Sequence, residues 1–434
     1  MLNKKNIVCF VLSLSLITQL FPSRNPSRYF PFLEKPEEYV TKRKSYVYPS
    51  LFLTTASTAF KRHGGNTGIP ELWGRYDLKQ VIASLSAIKS CSGCPDYNPF
   101  SDEPGYTDWS SKSLRFYMNG KIRSQGVMLE CCQNLLGSSV SCGFSVPFMR
   151  VNSSIRFMFD RQNSHADSRY ATIEEEDMLN RVRREVHSDL GLAGENWSVT
   201  GPGDVDAYLQ WRQFWDHKLM VRGIDLNVRA GTLIPTGRRR DEDVSASIPF
   251  MGNGHWGVYG DAVCELELKQ NWKLGVMLGL IHEFSNKEER RIPYHSEPTM
   301  FSAIKGNIEV DPGLTFKISP YFTLENFKDG MHAQIRYTYR KHSADTWRDL
   351  RLDKCVKSYL ESERSGSKCV RASRNSLSSF TSHHVTFQVV YDPKEAMNNW
   401  WLKPKFYAML DYATMGRGVS KTHQLTVGIE LHPW

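Results

Sequence analysis

The amino-acid sequence predicts an all-β fold, an antiparallel transmembrane β-barrel. Three observations carry this reading: repeated two-faced strands, an N-terminal export signal, and alternating short and long connections. The plainest strand is 331–340, where Met331, Ala333, Ile335, Tyr337 and Tyr339 alternate with His332, Gln334, Arg336, Thr338 and Arg340. The same pattern returns in Leu314, Phe316 and Ile318 against Thr315, Lys317 and Ser319. It returns again in Phe406, Ala408 and Leu410 against Tyr407, Met409 and Asp411. Strands of about ten residues with one apolar and one polar face suit a wall between lipid and a polar lumen. Periodicity alone also fits a soluble sandwich, so a secreted soluble β-protein is the reading to exclude.

Targeting separates the two in part. Lys4 and Lys5 precede an apolar run from Ile7 to Leu20, the pattern of a signal peptide, expected over 1–21. No later stretch approaches the roughly 18 apolar residues of a spanning helix. The chain of 434 residues carries a net charge of +9, enough length for one large barrel. An exported barrel has no nucleic acid to meet, so the positive balance does not imply one.

The element order follows from the periodicity. Residues 22–70 are polar and irregular and are expected to be a periplasmic lead-in or a segment tucked into the lumen. The barrel is expected over 71–434. A first strand is expected near 73–88, although Leu78, Val81, Ile82 and Leu85 also suit an amphipathic helix. Ser113–Gln133 and Val140–Asn152 follow. Thr172-Ile-Glu-Glu175 reads as a capping box opening a helix to about Leu190. Further strands are expected near 204–215, 218–233, 257–270, 272–285, 314–326, 330–343, 379–391, 402–414 and 421–431. Outer-membrane barrels have short periplasmic turns and long external loops. If 300–326 is one strand interrupted near Asp311-Pro-Gly313, short and long connections alternate throughout. That predicts twelve strands, with the last pairing to the first and the helix in an external loop. Fourteen strands follow if Ser113–Gln133 divides.

Inward positions in this register are Arg212, Asp225, Arg229, Glu265, Glu267, Lys317, Glu325, Arg336, Arg340, Lys405 and Asp411. With Lys269, Lys273, Asp206, Glu283 and Glu430 the expected lumen holds equal numbers of cations and anions. Lys317 and Glu325 are expected to meet Arg336 and Arg340 across adjacent strands, in a crowded lumen rather than an open basic one. Trp211, Phe214, Trp215, Trp256, Trp272, Trp400 and Trp401 lie near strand ends, where amphipathic rings favour the lipid–water boundary. Cys91 with Cys94, Cys132 with Cys142, and Cys355 with Cys369 are candidate disulfides, although spacing does not fix connectivity. Arg238-Arg239-Arg240 falls in an external loop.

The last strand alternates Leu425, Val427, Ile429 and Leu431 with polar residues and ends at Trp434. It resembles the C-terminal signal read by the barrel-assembly machinery, which is therefore an expected partner. Pro433 puts its aromatic one residue out of register. Gly231-Thr-Leu-Ile-Pro-Thr-Gly237, followed by Gly252-Asn-Gly254 and Trp256, resembles a piece of the outer-membrane channels related to fatty-acid and aromatic-hydrocarbon uptake, including those associated with phenol degradation. The resemblance implies a passive channel of the bacterial outer membrane for small polar or amphipathic solutes, and no ligand residue is carried over from it. A closed barrel acting through its external loops is the alternative. No HExxH, GxSxG, Walker A or dinucleotide fingerprint is present, so neither an enzyme nor a cofactor is expected.

Overall fold

The computed structural model describes residues 27–29, 45–91, 113–136, 139–160, 173–216, 221–269, 271–293, 297–350, 377–393 and 404–432. Twelve antiparallel strands form the wall. They are β1 (Tyr46–Ala56), β2 (Arg115–Leu136), β3 (Val140–Phe159), β4 (Val205–Asp216), β5 (Gly223–Ile234) and β6 (Gly257–Lys269). β7 (Trp272–Glu283), β8 (Thr315–Lys328), β9 (Met331–His342), β10 (Phe380–Tyr391), β11 (Lys405–Arg417) and β12 (His423–Glu430) complete it. Each strand pairs with its sequence neighbours, and β1 pairs with β12 through Leu53↔Leu425 and with β2 through Leu53↔Gln125. Closure leaves no strand edge, which is what allows a sheet to stand in lipid.

One diagonal of the ladder shows what the wall faces. It runs Leu53, Leu425, Leu410, Phe387, Ile335, Phe322, Leu274, Leu266, Ile224 and Trp215 from β1 back to β4. Every member is apolar and points outward, with Ile335, Phe387, Leu410 and Leu425 well exposed. Tilted strands make this row wind across the barrel from one end towards the other. Ala408, Phe406 and Tyr337 are exposed on the same surface, and Ala333 is half-buried on it. Trp211, Trp215, Trp256 and Trp272 are outward and exposed. Phe214 is not part of that belt: it turns inward, where Gly223 leaves room for its ring. Trp400 and Trp401 lie outside the described residues.

The expected first strand near 73–88 is a helix, α1 (Leu78–Cys91), preceded by a 3-10 turn over Ile69–Trp73. Leu78, Val81 and Leu85 recur at helical spacing and are all buried, so the 3.6-residue period prevails over the strand reading. The wall instead begins at Tyr46. The segment 22–70 thus supplies β1 rather than only a lead-in or plug, and β12 closes on Tyr46–Ala56. The second helix, α2 (Ile173–Asp189), lies at the long-loop end, as the loop parity required. Ile304–Asp311 is a strand separate from β8. It leaves the wall and joins Asn286–Ile292 and Thr346–Asp349 in a small external sheet, which is why parity survives the break.

Cys132 and Cys142 do not face each other. Cys132 pairs with Gly143, and Cys142 with Gln133. The offset of one residue sends Cys132 to the lumen and Cys142 to the outer face, and both are free thiols. Cys94, Cys355, Cys369 and the expected signal at 1–21 lie outside the described residues, so neither the Cys91–Cys94 nor the Cys355–Cys369 pairing is among them. Asp329 and Gly330, both with positive φ, make the tight turn between β8 and β9, as Asp-Gly pairs do in hairpins.

Candidate permeation path

The inner wall is built by a two-strand unit that repeats around half of the barrel. An inward tyrosine lies across a glycine on the preceding strand and donates its hydroxyl to a carboxylate one strand further back. Tyr208 on β4 crosses Gly143 to Glu130 (3.2 Å). Tyr259 on β6 crosses Gly231 to Asp206 (2.6 Å). Tyr321 on β8 crosses Gly275 to Glu265 (2.9 Å). A Cβ on Gly275 would stand 2.2 Å from the Tyr321 ring, so only glycine gives the ring its floor. Burying an aromatic ring flat against the wall leaves its polar tip to satisfy a buried carboxylate.

Charges share the remaining inward positions with neutral polar side chains such as Gln210, Asn227, Ser319, Thr338 and Thr426. Arg212 grips Asp225 through Nε at 2.8 and 2.9 Å and through Nη2. Lys273, almost wholly buried, binds Glu325 and lies 3.5 Å from Glu265. Lys317 reaches Asp261 at 3.4 Å across Gly279, skipping a strand. Arg340 stands directly opposite Lys317, and Arg336 opposite Tyr321. Lys317 and Glu325 thus have partners away from β9, in Asp261 and Lys273. Asp261 lies two strands from Lys317, and Gly279 on the strand between leaves space for that reach, whereas Lys273 meets Glu325 from the adjacent strand β7. Arg229 lies over the Tyr208 ring at 4.3 Å. Glu267 lies 4.0 Å from Arg222 at the short-turn end, and Lys405 lies 3.9 Å from both Glu430 and Asp392. Asp411 accepts from Thr386 Oγ1 (3.0 Å) and bonds His384 Nδ1 (2.7 Å). Asp261, Glu130, His384 and the tyrosines were not among the candidates. Tyr259 and Asp261 share the parity of Glu265, so the alternation already placed them inward.

The long-loop end carries a different chemistry. Leu78, Val81 and Leu85 of α1, Leu179, Val182 and Val186 of α2, and Ile248, Phe250, Met300 and Phe301 of the loops pack into one apolar cluster. Its floor is the inner face of β2 and β3, through Phe116, Met118, Met149, Val151 and Ile155. His187 sits in this cap, stacked on Phe301 and bonded to Tyr76 Oη at 2.8 Å. Burial, with Arg183 and Arg291 nearby, pushes its pKa down to about 3. Arg291 ties the cap together, donating to the carbonyls of Glu242 (2.6 Å), Ser302 (2.9 Å) and Leu190 (3.0 Å) and to Asp243 (3.1 Å). Asp204, at the rim, accepts from the Gly237 and Gly252 amides, and burial raises its pKa to about 7.

At the same long-loop end lies a cavity of about 130 Å³, walled by Trp73, Met251 and Phe380 as well as Arg240, Glu283, Arg290, His342 and Asp345. Arg28 enters it from the N-terminal side. It is buried, lies 4.3 Å over the Trp73 ring and donates to the carbonyls of Leu377 and Ser378. Tyr29 joins the cap and accepts from Trp73 Nε1. These residues sit at the long-loop end, whereas β1 begins at the opposite end.

A closed ladder, an apolar outer band and a polar, charge-paired interior define a transmembrane β-barrel of the bacterial outer membrane. In structure the chain is similar to an outer-membrane channel of Pseudomonas putida F1, with a TM-score of 0.49 at 10% identity over 92% of this chain and 99% of that one. It is similar to a FadL homologue of Pseudomonas aeruginosa, with a TM-score of 0.31 at 10% identity over 96% of each. It is also similar to the toluene transporter TodX of Pseudomonas putida, with a TM-score of 0.29 at 9% identity over 90% of each. Likeness at this level transfers no ligand and no residue role. No family model matches the chain, and no curated protein matches its sequence.

Proposed function

We propose that this barrel is a passive, selective channel for small polar or amphipathic solutes, closed at its external mouth by its own loops. The supporting observation is the contrast between the two ends of the path. The lumen is polar and carries buried ion pairs, which a barrel serving only as a scaffold has no need of. At the mouth the loops pack an apolar cap onto β2 and β3, and the cavity at that end offers aromatic walls beside cations and carboxylates, a surface for a solute with both characters. A lumen filled by paired side chains admits solutes by exchange with those pairs and not by bulk flow. Arg28 and Tyr29 pack at the mouth and add to the closure.

A closed barrel acting through its loops is the second reading, favoured by the fact that the loops form a packed core of their own. Liposome swelling with sugars and amino acids of graded size separates the two. The channel reading expects slow swelling with the smallest solutes, and a several-fold faster rate in Arg291→Ala, which unties the cap, and in Arg28→Ala. Rates at the level of empty liposomes for wild type and both variants favour the closed barrel.

A further inference from the structure

The external rim is chemically two-sided. At the outer ends of β5 to β8 the outward residues are Ile234, Trp256, Val258, Phe284, Leu314 and Phe316, an apolar edge continuous with the lipid-facing band. β2 and β3 extend beyond the rim, and their outward face changes character abruptly. Val127↔Phe148 is the last apolar rung before Gln125↔Arg150, Arg123↔Asn152, Lys121↔Ser154 and Asn119↔Arg156. Lys121, Arg123, Arg150 and Arg156 are all exposed.

No carboxylate shares this face among the described residues. The adjoining strand Asn196–Pro202 adds Asn196, Ser198 and Thr200, and Ser198 accepts from Arg150 Nε at 3.3 Å. The nearest acidic side chain, Glu195, is held by Arg183 at 2.7 Å beneath the sheet. Rungs on one face are about 6.8 Å apart along a strand. The four cations therefore begin one rung past the apolar edge, at head-group height, as two diagonal pairs, Arg150 with Arg123 and Lys121 with Arg156, joined along β2, each step roughly 7 Å. On the inner side the same hairpin is bolted to the apolar cap, so the array is held on a rigid support.

We infer that the outward face of β2 and β3 docks a phosphorylated lipid head group of the external leaflet. Four guanidinium and ammonium groups without a local counter-charge match phosphate in charge, and arginine matches it in geometry. The position beside the lipid-facing band selects a lipid over a soluble anion. The inference rests on the outer-membrane orientation and is independent of the channel reading.

The test uses the full chain folded in a non-ionic detergent, with bound lipids counted by native mass spectrometry. The probes are a diphosphorylated glucosamine-disaccharide lipid, the same lipid without phosphates, and inorganic phosphate. Each cation near an anionic surface adds to the attraction, so K121Q/R123Q/R150Q/R156Q should bind the phosphorylated lipid at least about tenfold more weakly than wild type. R123K/R150K/R156K should keep most of the binding, and R238Q/R239Q in the neighbouring loop should leave it unchanged. R123Q/R150Q gives a partial loss on a milder background if the fourfold variant does not fold. Equal binding of the dephosphorylated lipid, full competition by millimolar phosphate, or unchanged binding by both glutamine variants would overturn the assignment.

Discussion

Replacing Lys273 with methionine tests the charge-paired wall at its most buried cation. The lysine is 1% exposed and neutralises Glu325 and Glu265, the latter also holding the Tyr321 hydroxyl. Methionine keeps the length of the side chain and removes the charge. Breaking a buried ion pair costs about 3–5 kcal/mol because the partner is left uncompensated. Here the Glu325 side chain remains 22% exposed, so water recovers part of the loss and about 3 kcal/mol is expected. The triple change Lys273→Met/Glu265→Gln/Glu325→Gln removes all three charges and should return stability to within about 1 kcal/mol of wild type, since replacing a whole buried pair is close to neutral. Urea unfolding of the folded protein in detergent, followed by tryptophan fluorescence, reads both numbers. A single change costing less than about 1 kcal/mol, or a triple variant no better than the single one, would refute the reasoning.

Three further outcomes follow from the same geometry. Ile335→Arg puts a charge in the middle of the outward diagonal and should cost about 2–4 kcal/mol in bilayers, measured by urea unfolding of protein folded into lipid vesicles; a neutral effect would remove Ile335 from the lipid face. Gly275→Val drives a side chain into the Tyr321 ring and should cost about 2 kcal/mol through overpacking, but little when made in a Tyr321→Ala background, where the ring is absent. Asp204, with its carboxyl raised from 3.8 to about 7, makes the folded rim bind a proton more tightly than the unfolded chain does. Its contribution is most favourable below pH 4 and is lost as pH rises to about 7, on the order of 4 kcal/mol in all. Asp204→Asn should flatten that part of the pH–stability curve, read by unfolding at a series of pH values.

The wall was legible in the sequence because its signal has a period of two and repeats. Once Ile335 faces outward, Arg336 and Arg340 must face inward, and the tight turn at Asp329-Gly330 carries the same alternation to Lys317 and Tyr321. β1 was less visible: Tyr46, Tyr48 and Phe52 face inward, and Pro49 and Thr55 interrupt the apolar outer face. The same mixture hid the Tyr48–Tyr407 contact across Gly428. Side-chain reach was not legible, because it depends on what the intervening strand carries. Lys317 meets Asp261 only because Gly279 lies between them. The cap was hidden for a different reason: its parts come from four separated loops, each with too few apolar residues to announce a core alone.

Single-channel recording in planar bilayers tests the central claim, a charge-paired lumen closed by an external cap, most directly. Wild type should show small, infrequent openings. Arg291→Ala should open far more often at an unchanged unit conductance, because it loosens the cap without altering the lumen wall. A large, steady conductance in wild type would contradict the cap as the closure, and silence in both proteins would contradict the lumen as a path.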